Sequence, residues 1–134
     1  YPQPLTILSF MSTPLVLLFY EKLIPGSQIV NRLQDLGYRV SSVTQSDKLI
    51  DEVRKHHPMA LVMDLHSKTG DIPLSIQTLK EDLETQHIPV LAFAEVNNED
   101  LHEKARLAGA KLIAGEEAVL DQLPHLMEHL LEVD

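Results

Sequence analysis

The sequence predicts an α/β fold, a five-stranded parallel sheet with helices on both faces, and three observations carry that reading. Apolar runs stand at Leu15–Tyr20, at Pro58–Leu65, where the run leads straight into one acid, Asp64, and at Ile88–Ala94, as expected of strands buried on both faces. Between them the apolar residues recur every three or four positions, the period of a helix. The connections are short, so strand and helix alternate five times, the pattern of a parallel sheet with helical crossovers.

In chain order, Leu15–Tyr20 is the first strand. Pro25-Gly26-Ser27 punctuates before a helix striped by Ile29, Val30, Leu33 and Leu36 and stopped at Gly37, where glycine accepts the left-handed conformation that ends helices. Tyr38–Val43 alternates apolar and polar, which suits a strand at a sheet edge. Ser46 is placed to cap a helix carrying Leu49, Ile50 and Val53, which stops near His57-Pro58. Pro58–Asp64 is the third strand, followed by a loop of Ser67, Lys68, Thr69 and Gly70. Ile72, Ile76, Leu79 and Leu83 mark the third helix, and Ile88–Ala94 the fourth strand. Asn98 caps a fourth helix through Leu101, Ala105 and Ala108 to Gly109. Lys111–Ala114 is a short fifth strand, and Val119, Leu123, Leu126, Met127 and Leu130 stripe one last helix.

The first, third and fourth strands carry the strongest apolar runs and belong at the centre; the second is patterned and the fifth short, as edges are. That gives the flavodoxin-like order 2-1-3-4-5, whose switch point lies between strands one and three. Ligands and chemistry in such sheets gather outside the carboxyl ends of the strands. Asp64, the acid that ends the third strand, is therefore the first site candidate, with a helix cap or solvated turn as the structural alternative.

Composition narrows the function. Eleven basic against twenty acidic residues leave a net charge of −9, which disfavours direct nucleic-acid binding and an anionic membrane surface. Cysteine is absent, which removes disulfides, thiolate catalysis and thiolate metal sites and fits a cytoplasmic protein. Tyr1–Tyr20 lacks a basic segment and is broken by Pro2, Pro4, Pro14 and Ser12-Thr13, so neither a signal peptide nor a spanning helix is expected. Residues 1–13 are read as a leader or extra segment: Met11-Ser12-Thr13-Pro14 suits a natural start, and Leu5–Phe10 could instead add a strand. The domain proper is 14–134.

From about Pro14 to Leu131 the chain resembles the receiver domain of bacterial two-component response regulators. Pro58-Met-Ala-Leu-Val-Met-Asp64-Leu65 is similar to that family's third strand, which ends in the phospho-acceptor aspartate. Leu36-Gly37-Tyr38 resembles its turn into strand two, Ile88-Pro89-Val90-Leu91-Ala92 its fourth strand, and Ala108-Gly109-Ala110 its entry to strand five. With Asp64 on the acceptor, these landmarks fall in register without a gap.

The resemblance also identifies departures. Tyr20 and Glu21 stand where the family has an adjacent acid pair that holds Mg²⁺ with the acceptor. Ala94 replaces the switch Ser or Thr, Ile113 the aromatic that swings with it, and Glu116 the lysine that pairs with phosphoryl oxygens. Phosphoryl transfer needs positive charge and donors where negative charge accumulates, whereas Glu21, Asp64, Glu95 and Glu116 would crowd carboxylates and raise one another's pKa. What this implies is a degenerate receiver, not an enzyme, that signals through protein–protein contacts without efficient phosphorylation. Its partners would be a histidine kinase or an output protein, with a homodimer also allowed. The family's output face would here include Leu101, His102, Arg106, Lys111, Glu117 and Val119. The alternative is an atypical Mg²⁺-dependent phospho-acceptor at Asp64, with weakly held metal on Glu21, Asp64 and the His66 carbonyl.

One further pattern is separate. His125-Leu126-Met127-Glu128-His129 matches the H-x-x-E-H spacing of one zinc-peptidase class. The sequence ends five residues later, so a downstream third ligand is not expected, and Leu126 and Met127 belong to the packing stripe, so two solvated histidines are expected.

Overall fold

The computed structural model describes residues 13–132; the expectations for Tyr1–Phe10 and the Met11 start lie outside the described residues. Elements run β1 (Leu15–Phe19), α1 (Leu23–Asp35), β2 (Arg39–Val43), a 3₁₀ turn (Ser46–Lys48), α2 (Leu49–His56), β3 (Ala60–Asp64) and α3 (Ile72–Glu81). They continue through β4 (Val90–Ala94), α4 (Glu99–Ala108), β5 (Leu112–Gly115), α5 (Glu116–Asp121) and α6 (Leu123–Leu130). All strand pairs are parallel, in the order β2-β1-β3-β4-β5, as the sequence predicts. Among the described residues no helix is long and apolar enough to cross a membrane.

The apolar runs are explained by two cores, one on each face of the sheet. Leu17, Phe19, Leu61, Met63, Val90 and Ala92 pack with Leu49 and Val53 of α2, Ile72, Ile76 and Leu79 of α3, and Ala105 of α4. Val16, Leu18, Val62, Leu91 and Phe93 point the other way, to Ile29 and Leu33 of α1, Val119 of α5, and Leu123, Met127 and Leu130 of α6. Successive strand residues face opposite sides, so a central strand covered twice has no polar position to spare. Burying each such side chain stabilises by roughly 1.5–3 kcal/mol before entropy is counted.

Four local expectations are corrected. Pro25 and Gly26 do not precede the first helix; they lie buried within it, directly after a break at Ile24 where the backbone leaves helical geometry. Gly26 is there because a Cβ would lie 2.2 Å from Cδ2 of the Tyr20 ring. Ser46 caps no helix: it opens the 3₁₀ turn without a side-chain cap bond, and its hydroxyl lies 2.8 Å from Thr69 Oγ1. Leu83 is beyond the third helix and 82% exposed, since the chain leaves the helix at Asp82, held to Arg54 by a 2.7 Å ion pair. The last helix is two helices, separated at Gln122. Pro124 follows the break; it offers no N–H and its ring clashes with the carbonyl four residues earlier. Asn98, by contrast, caps α4 as expected, accepting from Leu101 N–H at 3.4 Å.

Candidate functional site

Parallel strands deliver their carboxyl ends to one edge, and here that edge collects Tyr20-Glu21-Lys22 after β1, Asp64 and the loop after it, Ala94-Glu95 after β4, and Glu116 after β5. Asp64 ends a fully buried strand and is itself only 1% exposed. Its Oδ1 accepts the His66 N–H at 2.9 Å, a turn that starts the loop. Its Oδ2 is buried with no partner. Burial pushes the Asp64 carboxyl above its ordinary value; the His66 N–H and the Lys22 charge oppose this, and Glu116 adds to it.

Glu21 is placed differently. Its carboxylate serves the loop after β3: Lys68 N–H donates to Oε1 at 2.9 Å, Thr69 Oγ1 to Oε2 at 2.9 Å, and Ser67 Oγ also to Oε2. Burial works to raise this carboxyl, yet the bonds from Ser67, Lys68 and Thr69 outweigh it and hold Glu21 below its ordinary value. The loop is tied again by Gly70 N–H, which donates to Ser67 Oγ at 3.1 Å. Gly70 itself must be small, since a Cβ there would lie 2.6 Å from Ser46 Oγ. Tyr20, in place of a second acid, lays its ring over Gly26 and joins the core beneath α1.

The remaining positions are equally altered. Ala94 is 2% exposed and its methyl is core; its carbonyl accepts from His102 Nε2 at 3.4 Å, joining the end of β4 to α4. Ile113 is half-buried against the α2–α4 core. Glu116 lies 3.7 Å from Lys22 Nζ. Lys22 was not among the residues picked out in the sequence. Its signal was present: it directly follows Glu21, and an acid at 116 where the resemblance implies a lysine calls for a cation from elsewhere. The edge thus carries an ammonium on the β1 side and a carboxylate on the β5 side.

A cavity of about 540 Å³ beside Glu116 is lined by Glu95, Val96, Asn97, Glu117 and Leu120, so the edge nearest β5 is acidic. Of the expected output face, Val119 is 0% exposed and belongs to the core, because α5 turns its apolar side inward. Lys111 lies at the far end of β5, where Nζ donates to the carbonyls of Leu130 and Glu132 at 3.2 and 2.6 Å and closes the end of α6.

No protein-family model matches this sequence, and no curated protein matches it. Solved structures do. A Chloroflexus aurantiacus J-10-fl protein described as a candidate response regulator is similar with a TM-score of 0.84 at 16% identity, over 90% of this chain and 98% of that one. The receiver domain of the sensor histidine kinase PA1611 from Pseudomonas aeruginosa PAO1, with magnesium coordinated in its active-site cleft, gives 0.81 at 17%, over 90% and 98%. The Vibrio cholerae chemotaxis protein CheY4 gives 0.80 at 13%, over 90% and 100%. The fold is that of a receiver domain, over nearly the whole of each neighbour.

Proposed function

We propose that this chain is a degenerate receiver-type module of two-component signalling, which acts through protein contacts and takes up little or no phosphate at Asp64. One observation carries the reading: the groups around Asp64 have the wrong charge and the wrong commitments for a phosphoryl group. Phosphoryl transfer depends on cations aimed at oxygens that gain negative charge. Here the β5 side supplies Glu116, and Lys22, the nearby cation, is within ion-pair distance of it.

The residues at this edge fit Mg²⁺ poorly. A hard cation wants several free oxygens in close array. Glu21 has both oxygens engaged by loop donors, Tyr20 offers no carboxylate, and among the described residues no group of three or more His, Cys, Asp or Glu side chains converges. Among the described residues Asp64 Oδ2 is the buried side-chain polar atom without a hydrogen-bond partner, and it is the feature that favours the alternative, an atypical acceptor. Asp64 then serves a structural end: its Oδ1 starts the loop that Glu21 holds.

The proposed partner is a histidine kinase or an output protein, met on α4, β5 and the outer side of α5. Leu101 and His102 are half-buried there, and Arg106 and Glu117 are exposed. The test is Mg²⁺ with beryllofluoride, followed by amide NMR. The reading expects no saturable shifts at Asp64. Saturable binding with shifts that spread from Asp64 to β5 would overturn it in favour of the phospho-acceptor.

A further inference from the structure

The structure brings together two imidazoles that the receiver reading does not use. His125 and His129 are four residues apart on α6, so their side chains rise from the same face. Their Nε2 atoms are 3.2 Å apart, and the rings meet edge to face with centroids 4.5 Å apart. The other nitrogen of His129, Nδ1, lies 3.4 Å from Glu132 Oε2. Both rings are exposed on the outer side of the helix, while Leu123, Met127 and Leu130 are buried beneath.

We infer that His125 and His129 form a two-imidazole site for a borderline divalent transition cation, of which Zn²⁺ is the redox-silent example. The argument is geometric. Zinc takes imidazole nitrogen at about 2.0–2.1 Å, and two nitrogens at that distance in a tetrahedral arrangement are roughly 3.3 Å apart. The observed Nε2 separation is close to that before any metal is bound. Two imidazoles in this position otherwise share one proton between two acceptor nitrogens; a cation between them uses both lone pairs.

Glu132 supplies the second element that metal-binding histidines use. Glu132 stands within ion-pair reach of His129 Nδ1, and a carboxylate on that nitrogen favours the tautomer that presents Nε2 to a metal. Remaining coordination positions open to solvent, and among the described residues no third protein ligand of the usual kinds joins them. The site is thus weaker than a four-ligand structural zinc site and has no peptidase chemistry. It staples the last turn of α6, whose carbonyl end Lys111 already holds. A hard cation such as Mg²⁺ prefers oxygen ligands and is not expected there.

The experiment is calorimetric titration of the untagged protein with Zn²⁺, and separately with Mg²⁺, with thermal melts in parallel. The site predicts one saturable Zn²⁺ per chain, a melting temperature that rises with Zn²⁺ by linkage, and no such effect of Mg²⁺. His125→Gln and His129→Gln, both exposed and expected to fold, should each weaken binding at least tenfold and remove the thermal shift. Glu132→Gln should weaken it by about tenfold, the lower end of the range for such outer partners. Absence of saturable Zn²⁺ binding would overturn the inference, and so would unchanged affinity in both histidine variants. Neither result bears on Asp64, since the two sites share no residue.

Discussion

Two carboxylates at one sheet edge, Glu21 and Asp64, have opposite fates. Glu21 is the less buried and the better served, accepting from Ser67, Lys68 and Thr69. Asp64 is almost wholly buried, has one donor and leaves an oxygen unpartnered. Glu21 is a clasp for the loop after β3. Asp64 is a buried acid whose ionisation is disfavoured. Position in a fold sets what a residue could do; the donors around it decide what it does.

The largest expected effect tests the clasp. Glu21→Ala removes the acceptor of three donors at once and should cost about 2 kcal/mol, the range for hydrogen bonds to a charged group. Urea unfolding would measure it, and amide exchange at Lys68 should quicken. Little change in either would mean the loop holds itself. Next, Asp64→Asn keeps an acceptor for His66 N–H and removes a buried charge. It should stabilise the fold near pH 8 by on the order of 1 kcal/mol, read from the same unfolding curves; destabilisation there would show that the charged form is well compensated.

The pH dependence separates the two acids by sign. Glu21 is held below its ordinary 4.5, so its contribution is present above that value and is lost as pH falls through the folded pKa. Asp64 is raised above its ordinary 3.8, so its contribution is full below that value and is lost as pH rises through the folded pKa. Stability of the parent relative to Glu21→Gln should therefore decline on acidification below about pH 4.5, while stability relative to Asp64→Asn should grow over the acid range. Two difference curves of the same slope would break the comparison.

The smallest effect concerns Lys22. Its ion pair with Glu116 is part-exposed and 3.7 Å long, so Lys22→Ala should cost less than about 0.5 kcal/mol. It should nevertheless raise the Asp64 carboxyl further, a change that carbon-detected NMR of the side-chain carboxyl would follow against pH. No movement at Asp64 would detach Lys22 from the site.

Much of this was legible in the residues. The buried runs gave the strand order because a doubly covered strand admits no polar side chain, and the same run placed Asp64 at the carboxyl end of a central strand. Lys22 and the direction of the Glu21 carboxylate were not legible. Both depend on how the chain leaves β1: Tyr20 turns over Gly26, and only then do Glu21 and Lys22 diverge, one to the loop and one to Glu116. The broken last helix was readable at Pro124, but the apolar stripe continued across it and masked the break. Val119 was assigned to a surface by its place in the family, and the helix turned it inward.

The central claim, a receiver fold whose acceptor edge has been refitted away from phosphorylation, is tested most directly by intact-mass measurement after incubation with Mg²⁺ and acetyl phosphate. The parent and Asp64→Asn should be alike, neither carrying a phosphoryl adduct, while a receiver with the acid pair and lysine is labelled in parallel. An adduct that forms on the parent and is missing from Asp64→Asn would contradict the claim and restore Asp64 as a working acceptor.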